Sequence, residues 1–160
     1  GGRLGSDAIH KYLDWAEQDN KQIFVMYGQT EAGPRMAYVP PEKLKDNFDC
    51  IGVEIPGGKL SLIDDDGEEI LVSDQSGELV YQGPNVMMGY AVELNDFSTD
   101  SHGNKLFTGD LAERNQQGLY KIVGRKSRFC KIFGLRIGLD DPDWVMGEAE
   151  KQFRRFHHLN

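Results

Sequence analysis

Hydrophobic residues in the first part of the chain recur at helical spacing. Ile9, Leu13 and Ala16 fall on one face of a helix, and this pattern predicts a packing helix that ends near Asn20. An apolar run from Ile23 to Met26 follows, and it predicts a buried strand. The beginning of the chain is therefore expected to supply one helix and one strand of a sheet.

From Ile51 onward the pattern changes to short strands separated by glycine turns. Residues 59–63 alternate, Asp65-Asp66-Gly67 forms a turn, and residues 69–72 return, which predicts a β-hairpin. Further strands are predicted at 77–81, 119–123 and 129–132. Strands at this spacing indicate a small twisted barrel or sandwich. The predicted fold class is α+β, with a β-rich, distorted antiparallel barrel-like subdomain beside an N-terminal helix and strand unit.

The length of the chain limits the number of domains, and its charge limits the kinds of partner. A chain of 160 residues corresponds to one domain or one and a half. Its net charge of −8 argues against nucleic acid or an anionic membrane as the main partner. No apolar run approaches the ~18–20 residues of a membrane-spanning helix. Cys50 and Cys130 lie far apart without a partner motif, which favours a reduced, cytoplasmic setting.

Three segments resemble ligand-binding motifs but lack the residues or the spacing that those motifs require. The stretch from Gly52 to Lys59 has the wrong spacing for a phosphate loop, and Leu60 stands where a hydroxyl is required. The aspartate run at 64–66 lacks the alternating Asp/Asn positions and the bidentate glutamate of a calcium loop. His157 and His158 are adjacent, so they cannot share one helical face as a metal-ligand pair does.

The polar residues after the first strand carry the candidate chemistry. Tyr27 offers a flat face for a base, and Gly28 allows the backbone to approach a ligand closely. Thr30 can bond a phosphate oxygen, and Glu31 is a hard oxygen ligand suited to Mg²⁺. The alternative is an ordinary strand end followed by a helix cap, with Thr30 and Glu31 only solvated.

The order of several short motifs is more informative than any one of them. The motifs are Tyr27-Gly28-Gln29-Thr30-Glu31, Gly77-Glu78-Leu79 with Gly83 and Gly89-Tyr90, Thr108-Gly109-Asp110, and Gly124-Arg125 with Lys131, Gly134 and Arg136-Ile137. Their order resembles the adenylate-forming superfamily of acyl-CoA synthetases, luciferases and peptide-synthetase adenylation domains. The resemblance extends from Gly1 to about Leu139, and the segments around Arg35-Met36 and residues 83–90 are most similar to bacterial acyl-CoA synthetases.

The resemblance implies a role for each matching position. Tyr27 would stack on adenine, Asp110 would accept hydrogen bonds from both ribose hydroxyls, and Glu31 would bind Mg²⁺. Lys131 would assist thioester formation, and Ser127 would lie at the hinge. The implied catalytic residues are Thr30, Glu31 and Lys131, and the implied nucleotide-binding residues are Gly1, Gly2, Tyr27, Gly28, Gln29, Thr30, Asp110, Ile122 and Arg125.

The resemblance also implies a two-step reaction. A carboxylate attacks the α-phosphate of ATP to give an acyl-adenylate and pyrophosphate, and a thiol then displaces AMP. The implied co-substrates and cofactors are ATP, Mg²⁺ and coenzyme A or a carrier phosphopantetheine. Which carboxylic acid is used is left open by the sequence.

The domain organisation follows from the same resemblance. Residues 1–48 would end the sheet subdomain, 49–124 would form the β-rich subdomain with the ribose-binding aspartate, and 125–160 would hold the hinge and the start of a lid domain. We expect a fragment of a larger enzyme that is inactive by itself. The alternatives are a non-catalytic β-rich module that binds a nucleotide or a protein, and a structural piece with vestigial motifs.

Overall fold

The computed structural model describes residues 4–98, 100, 102–126, 129–132 and 135–138. The chain divides into two compact units between Val123 and Gly124. Helix α1 is Ser6–Gln18 and the single-turn helix α2 is Pro41–Leu44, and two 3₁₀ turns are Thr30–Ala32 and Leu94–Ser98. Within the described residues, no helix combines the length and the apolar character that a bilayer span requires.

The first unit contains the two helices and two antiparallel sheets, the last strand of which ends just beyond the boundary of the unit. The smaller has three strands in chain order, and the larger has four strands in chain order. The strands of the smaller sheet are β1 (Val25–Tyr27), β2 (Ala37–Val39) and β3 (Val53–Glu54). The strands of the larger sheet are β4 (Lys59–Ile63), β5 (Gly77–Gln82), β6 (Lys105–Arg114) and β7 (Tyr120–Arg125).

The second unit contains a short antiparallel hairpin in its described part. Its strands are β8 (Phe129–Ile132) and β9 (Leu135–Gly138), with Cys130 opposite Ile137 and Lys131 opposite Arg136.

Helix α1 forms because its apolar residues repeat at the helical period. Ile9 and Ala16 are buried, whereas Trp15 on the other face is exposed. Ile9 packs in a small core cluster with Leu44 and Leu119, so the start of the chain is fastened to the β-rich region by hydrophobic burial. The predicted packing helix is confirmed.

The main core lies on the larger sheet. Buried residues alternate along β4, as expected for a strand with one covered face, whereas β5 and β6 each bury three consecutive residues, at 79–81 and 110–112. Its members include Met36, Leu62, Leu79, Tyr81 and Leu106. Tyr27 and Ile122 are half-buried, and both pack against this cluster.

The predicted α+β class is confirmed, and the β-rich part is antiparallel as expected. Its described strands form open sheets and do not close into a barrel. The predicted return of the hairpin at residues 69–72 is confirmed only at its start. Glu69 bridges to Ile63, and Ile70 donates its backbone N–H to the carbonyl oxygen of Leu62 at 2.8 Å, whereas the partner of β4 along its whole length is β5. Strand β5 places five residues in register with β4, while Leu71 and Val72 are left 72% and 66% exposed.

Candidate functional site

The end of β1 is held in place by close backbone packing. A Cβ atom at Gly28 would lie 2.5 Å from the carbonyl carbon of Pro34, so only glycine fits there. Met36 donates its backbone N–H to the carbonyl oxygen of Tyr27 at 2.7 Å. The close approach at Gly28 is therefore to the chain's own backbone, and it fixes the direction in which Tyr27 leaves the strand.

Asp110 reaches the site because strand β6 bulges. Glu78 pairs with Leu111 and Val80 pairs with Phe107, so Leu79 on β5 lies opposite the three residues from Thr108 to Asp110. Gly109 has φ +70°, a left-handed conformation that glycine adopts without strain.

The hydroxyl of Thr108 stabilises this bulge from within. It donates to the carbonyl oxygen of Leu79 at 2.7 Å and accepts the backbone N–H of Asp110 at 3.1 Å. The Thr-Gly-Asp sequence thus combines a local hydrogen bond, a permitted positive φ and an acidic side chain re-aimed by the bulge.

Two distant segments meet at Asp110, and we call Tyr27, Gln29, Thr108 and Asp110 the carboxylate cluster. Tyr27 donates its hydroxyl hydrogen to Oδ2 of Asp110 at 2.5 Å, across 83 residues of sequence. The Gln29 amide nitrogen donates to the same Oδ2 at 3.0 Å and to the Thr108 carbonyl oxygen at 3.0 Å. Asp110 is only 5% exposed, so its carboxylate lies in a largely enclosed, hydrogen-bonded site.

The Tyr27 hydroxyl acts as a donor over the whole physiological pH range. Burial raises the pKa of the Tyr27 phenol far above its ordinary value, and the hydrogen bond to Asp110 and the charge of Asp110 raise it further. The phenol therefore stays protonated and donates a hydrogen bond to the carboxylate.

Glu31 lies on the 3₁₀ turn that follows, beside the loop 83–90. Tyr90 donates its hydroxyl hydrogen to Oε1 of Glu31 at 2.7 Å, and Met87 donates its backbone N–H to the Glu31 carbonyl oxygen at 2.7 Å. The Asn85 amide nitrogen also donates to the Ala32 carbonyl oxygen at 2.5 Å. These contacts hold the loop against the turn. The hydrogen bond to Glu31 raises the pKa of the Tyr90 phenol.

The donor set around Glu31 suits a metal ion that arrives with a ligand. No group of three or more His, Cys, Asp or Glu side chains in the described residues could hold a metal ion. Mg²⁺ is commonly bound by one or two carboxylates together with substrate phosphates. The half-buried Glu31 carboxylate fits that manner of binding and does not fit an all-protein metal cage.

Other candidate residues occupy different positions. Thr30 is exposed at the start of the 3₁₀ turn. Ile122 packs on the same core cluster as Tyr27. Arg125 is exposed at the end of β7 and belongs to the second unit, so its predicted place beside the nucleotide stays a prediction.

Some candidates lie outside the described part. Gly1, Gly2 and Ser127 fall outside the described residues, as does the histidine pair at 157–158. Lys131 is described only by its backbone, which lies in β8.

Sequence reasoning assigned no role to Thr108 or Tyr90. A signal was available for Thr108, because a hydroxyl two residues before a functional aspartate can bond the intervening turn. Tyr90 gave no such signal, since its bond to Glu31 joins residues 59 positions apart.

Comparison with known proteins identifies the class to which this fold belongs. The chain superposes with a TM-score of 0.66 on the O-succinylbenzoate coenzyme A synthetase of Bacillus subtilis, solved in complex with ATP and magnesium ion, at 22% identity over 86% of this chain and 28% of that one. It superposes with a TM-score of 0.63 on a long-chain-fatty-acid-CoA ligase of Archaeoglobus fulgidus, at 25% identity over 78% of this chain and 27% of that one. The fold is that of the adenylate-forming enzymes.

Sequence comparison is more specific. Residues 1–91 match the family model described as AMP-binding enzyme. A long-chain-fatty-acid–CoA ligase of Escherichia coli O157:H7 is 30% identical over 123 residues, covering 77% of this chain. This chain belongs to the AMP-binding enzyme family, and the resemblance to the adenylate-forming superfamily is confirmed. The chain spans about a fifth of the length of the curated relatives it matches, 22% for the E. coli ligase.

Proposed function

We propose that this chain is part of an AMP-forming acyl-CoA synthetase and carries half of its nucleotide site. The observation that supports this most directly is the convergence of Tyr27 and Asp110 at a 2.5 Å hydrogen bond. A buried carboxylate beside an aromatic ring at the end of a strand suits a nucleoside, since the ring can stack and the carboxylate can accept from hydroxyls.

The proposed roles follow the chemistry of each side chain. Tyr27 stacks on adenine and Asp110 accepts the ribose hydroxyls, which together position the α-phosphate for attack by a carboxylate. Thr30 is exposed beside them and donates its hydroxyl to a phosphate oxygen. Gly28 and Gln29 shape the same strand end, and Ile122 packs near the ribose. We also propose nucleotide contacts for Arg125, Gly1 and Gly2.

Glu31 is the proposed magnesium ligand. Bound Mg²⁺ would offset the negative charge of the phosphates as the carboxylate substrate approaches. Glu31 would present its carboxylate to this ion, while Tyr90 donates its hydroxyl hydrogen to Oε1 of Glu31 at 2.7 Å. We propose Lys131 as the residue that assists the second step, in which the thiol of coenzyme A displaces AMP.

The wider organisation is proposed on the same basis. Residues 1–48 and 49–124 would form the nucleotide side, and 125–160 the hinge and the start of a lid. The named E. coli relative favours a fatty acid as the carboxylate substrate. Cys50 carries a free, buried thiol, in keeping with a reduced, cytoplasmic location.

The test is ATP–pyrophosphate exchange by the full-length polypeptide that carries this sequence. A panel of carboxylic acids should include octanoate, palmitate and an aromatic acid. We expect exchange with a fatty acid, and we expect Asp110→Ala and Glu31→Gln to lower it at least about 100-fold, the scale of losing hydrogen bonds to a charged group or a metal ligand. Asp96→Asn and Glu69→Gln are matched controls, because both residues are acidic and lie outside the proposed site.

A second readout separates binding from chemistry. Calorimetry with ATP should show that Mg²⁺ strengthens binding to the unmodified protein and has little effect on Glu31→Gln. Exchange that persists in both site variants would contradict these role assignments. AMP binding without exchange for any acid would favour the alternative, a non-catalytic nucleotide-binding module.

A further inference from the structure

Gln29 makes more contacts than a solvated turn residue needs. Its amide nitrogen lies 3.0 Å from Oδ2 of Asp110, 3.0 Å from the Thr108 carbonyl oxygen and 3.3 Å from the Tyr27 hydroxyl oxygen. The same Oδ2 accepts the Tyr27 hydroxyl at 2.5 Å. One oxygen of a buried carboxylate thus accepts hydrogen bonds from two neutral donors, one at the end of β1 and one just before the 3₁₀ turn.

We propose that the Tyr27 hydroxyl and the Gln29 amide are a positioning pair that fixes the plane of the Asp110 carboxylate and so sets selectivity for ribose over deoxyribose. This inference rests on the proposed function. It assigns the two residues a role separate from stacking and from direct contact with the nucleotide.

The physical argument begins with the freedom of an aspartate side chain. Rotation about the last torsion of Asp is broad and lacks sharp staggered minima. A carboxylate that must accept two neighbouring hydroxyls at once needs a defined plane. Two donors on Oδ2 supply it, because rotation of the carboxylate would break both hydrogen bonds.

Selectivity follows from what happens when a hydroxyl is missing. A carboxylate held in an enclosed site cannot turn to find another partner, so loss of a ligand hydroxyl leaves an acceptor position unsatisfied. A carboxylate that can rotate adapts, and its preference for ribose falls. Asp110 is 5% exposed, so solvent offers little compensation.

Two substitutions remove the donors and keep the shape. Tyr27→Phe keeps the ring for stacking and deletes the hydroxyl. Gln29→Met keeps the side-chain length and deletes the amide. Tyr120→Phe is the matched control, because Tyr120 is 6% exposed and donates its hydroxyl to the Leu60 carbonyl oxygen at 3.0 Å.

The measurement is the dissociation constant of AMP and of 2′-deoxyAMP by calorimetry on the full-length polypeptide. The ratio of the two constants reports ribose selectivity and is unaffected by a general loss of affinity. We expect the unmodified protein to favour AMP, and each donor variant to lower that preference about three- to ten-fold, the scale of one hydrogen bond of ordinary strength. Tyr120→Phe should leave the ratio unchanged.

The outcomes separate the two proposals. If the unmodified protein fails to bind AMP or does not distinguish the two nucleotides, the proposed ribose site itself is wrong. If it distinguishes them and both donor variants keep the full ratio, only the positioning pair is wrong. A fall in the ratio for Tyr120→Phe would also overturn the pair, because the effect would then not depend on contact with Asp110. If Tyr27→Phe does not fold, Gln29→Met decides the question alone.

Discussion

Two polar clusters tie distant parts of this chain together, and they differ in charge. The amide cluster consists of Asn47, Cys50, Asn115 and Gln117. In it the Asn115 amide nitrogen donates to Asn47 Oδ1 at 3.2 Å, and the Asn47 amide nitrogen donates to Gln117 Oε1 at 3.2 Å and to the Lys43 carbonyl oxygen at 3.0 Å. The carboxylate cluster is built with similar distances, but it has a buried acid at its centre.

That difference separates a structural role from a functional one. Neutral amides can satisfy each other, so the amide cluster joins α2 to the turn before β7 without an uncompensated charge. Burying a carboxylate costs far more desolvation free energy than burying an amide. Asp110 is nevertheless only 5% exposed, and the ligand-binding role proposed above would account for an acid buried at this position.

The largest expected effect that tests this comparison comes from Asp110→Asn. This change keeps the shape of the side chain and removes its charge. AMP affinity should fall about 100-fold, because two hydrogen bonds to a charged acceptor are weakened. The free energy of unfolding should change little, since the desolvation cost of the charge is removed at the same time. Calorimetry and urea unfolding of the same protein give both numbers, and a destabilised variant with intact AMP affinity would reverse the comparison.

Asn115→Ala should have the opposite profile. Asn115 Oδ1 accepts the backbone N–H groups of Gln117 and Leu119 at 3.0 and 2.9 Å, and its amide reaches Asn47. Deleting this side chain removes a partner of the buried Asn47 amide oxygen and of the Leu119 backbone N–H, and it should lower the free energy of unfolding by about 2 kcal/mol. AMP affinity should stay within about two-fold, because Asn115 has no contact with the carboxylate cluster. Gln75→Ala, at an exposed amide, is the control and should be neutral in both measurements.

A matched pair of glycines sharpens the contrast further. Gly109 in the bulge and Gly118 in the turn of the amide cluster have φ +70° and +78°, and neither has an atom within 4 Å of an added Cβ. Alanine at either position should cost about 1 kcal/mol of backbone strain in urea unfolding. Only Gly109→Ala should also weaken AMP binding, by several-fold, because the bulge aims Asp110. Equal AMP affinities for the two variants would show that the bulge geometry does not matter to the ligand.

The last effect concerns the thiol of the amide cluster, and it is confined to alkaline pH. Burial, and then the neighbouring Asp49 carboxylate, raise the pKa of Cys50 from 9.0 to about 11. The folded state therefore holds this proton more tightly than the unfolded state does, so the contribution to stability is complete below pH 9 and is lost as the pH rises to about 11. Cys50→Ala should remove that part of the pH dependence in urea unfolding.

The raised pKa of Cys50 also predicts how fast its thiol is alkylated. Since the thiolate is the reactive form, Cys50 should resist iodoacetamide at pH 8 in the folded protein and react on unfolding, as mass spectrometry of the labelled peptide would show. Rapid labelling of the folded chain would contradict both the burial and the raised pKa of this thiol.

Local patterns were enough for the parts of the fold whose partners are near in sequence. The repeat of Ile9, Leu13 and Ala16 predicted α1, and the alternation at residues 59–63 predicted β4. The partner of β4 could not be predicted in this way, because residues 69–72 and 77–82 both contain apolar residues and both lie near β4 along the sequence. The longer buried strand pairs with β4, and Leu71 is left 72% exposed.

The candidate site likewise has features that the sequence determined and features that only the tertiary structure decided. The order of the residues in this chain determined that an aromatic ring, an amide, a hydroxyl and two acids were present, and their motifs determined the family. Tertiary structure decided that Tyr27 and Asp110 share one hydrogen bond, that Gln29 joins them, and that Tyr90 bonds Glu31. The reason is physical: a side chain's chemistry is fixed by its residue type, whereas its partner depends on how a bulge and two packed sheets bring together segments that are remote along the chain.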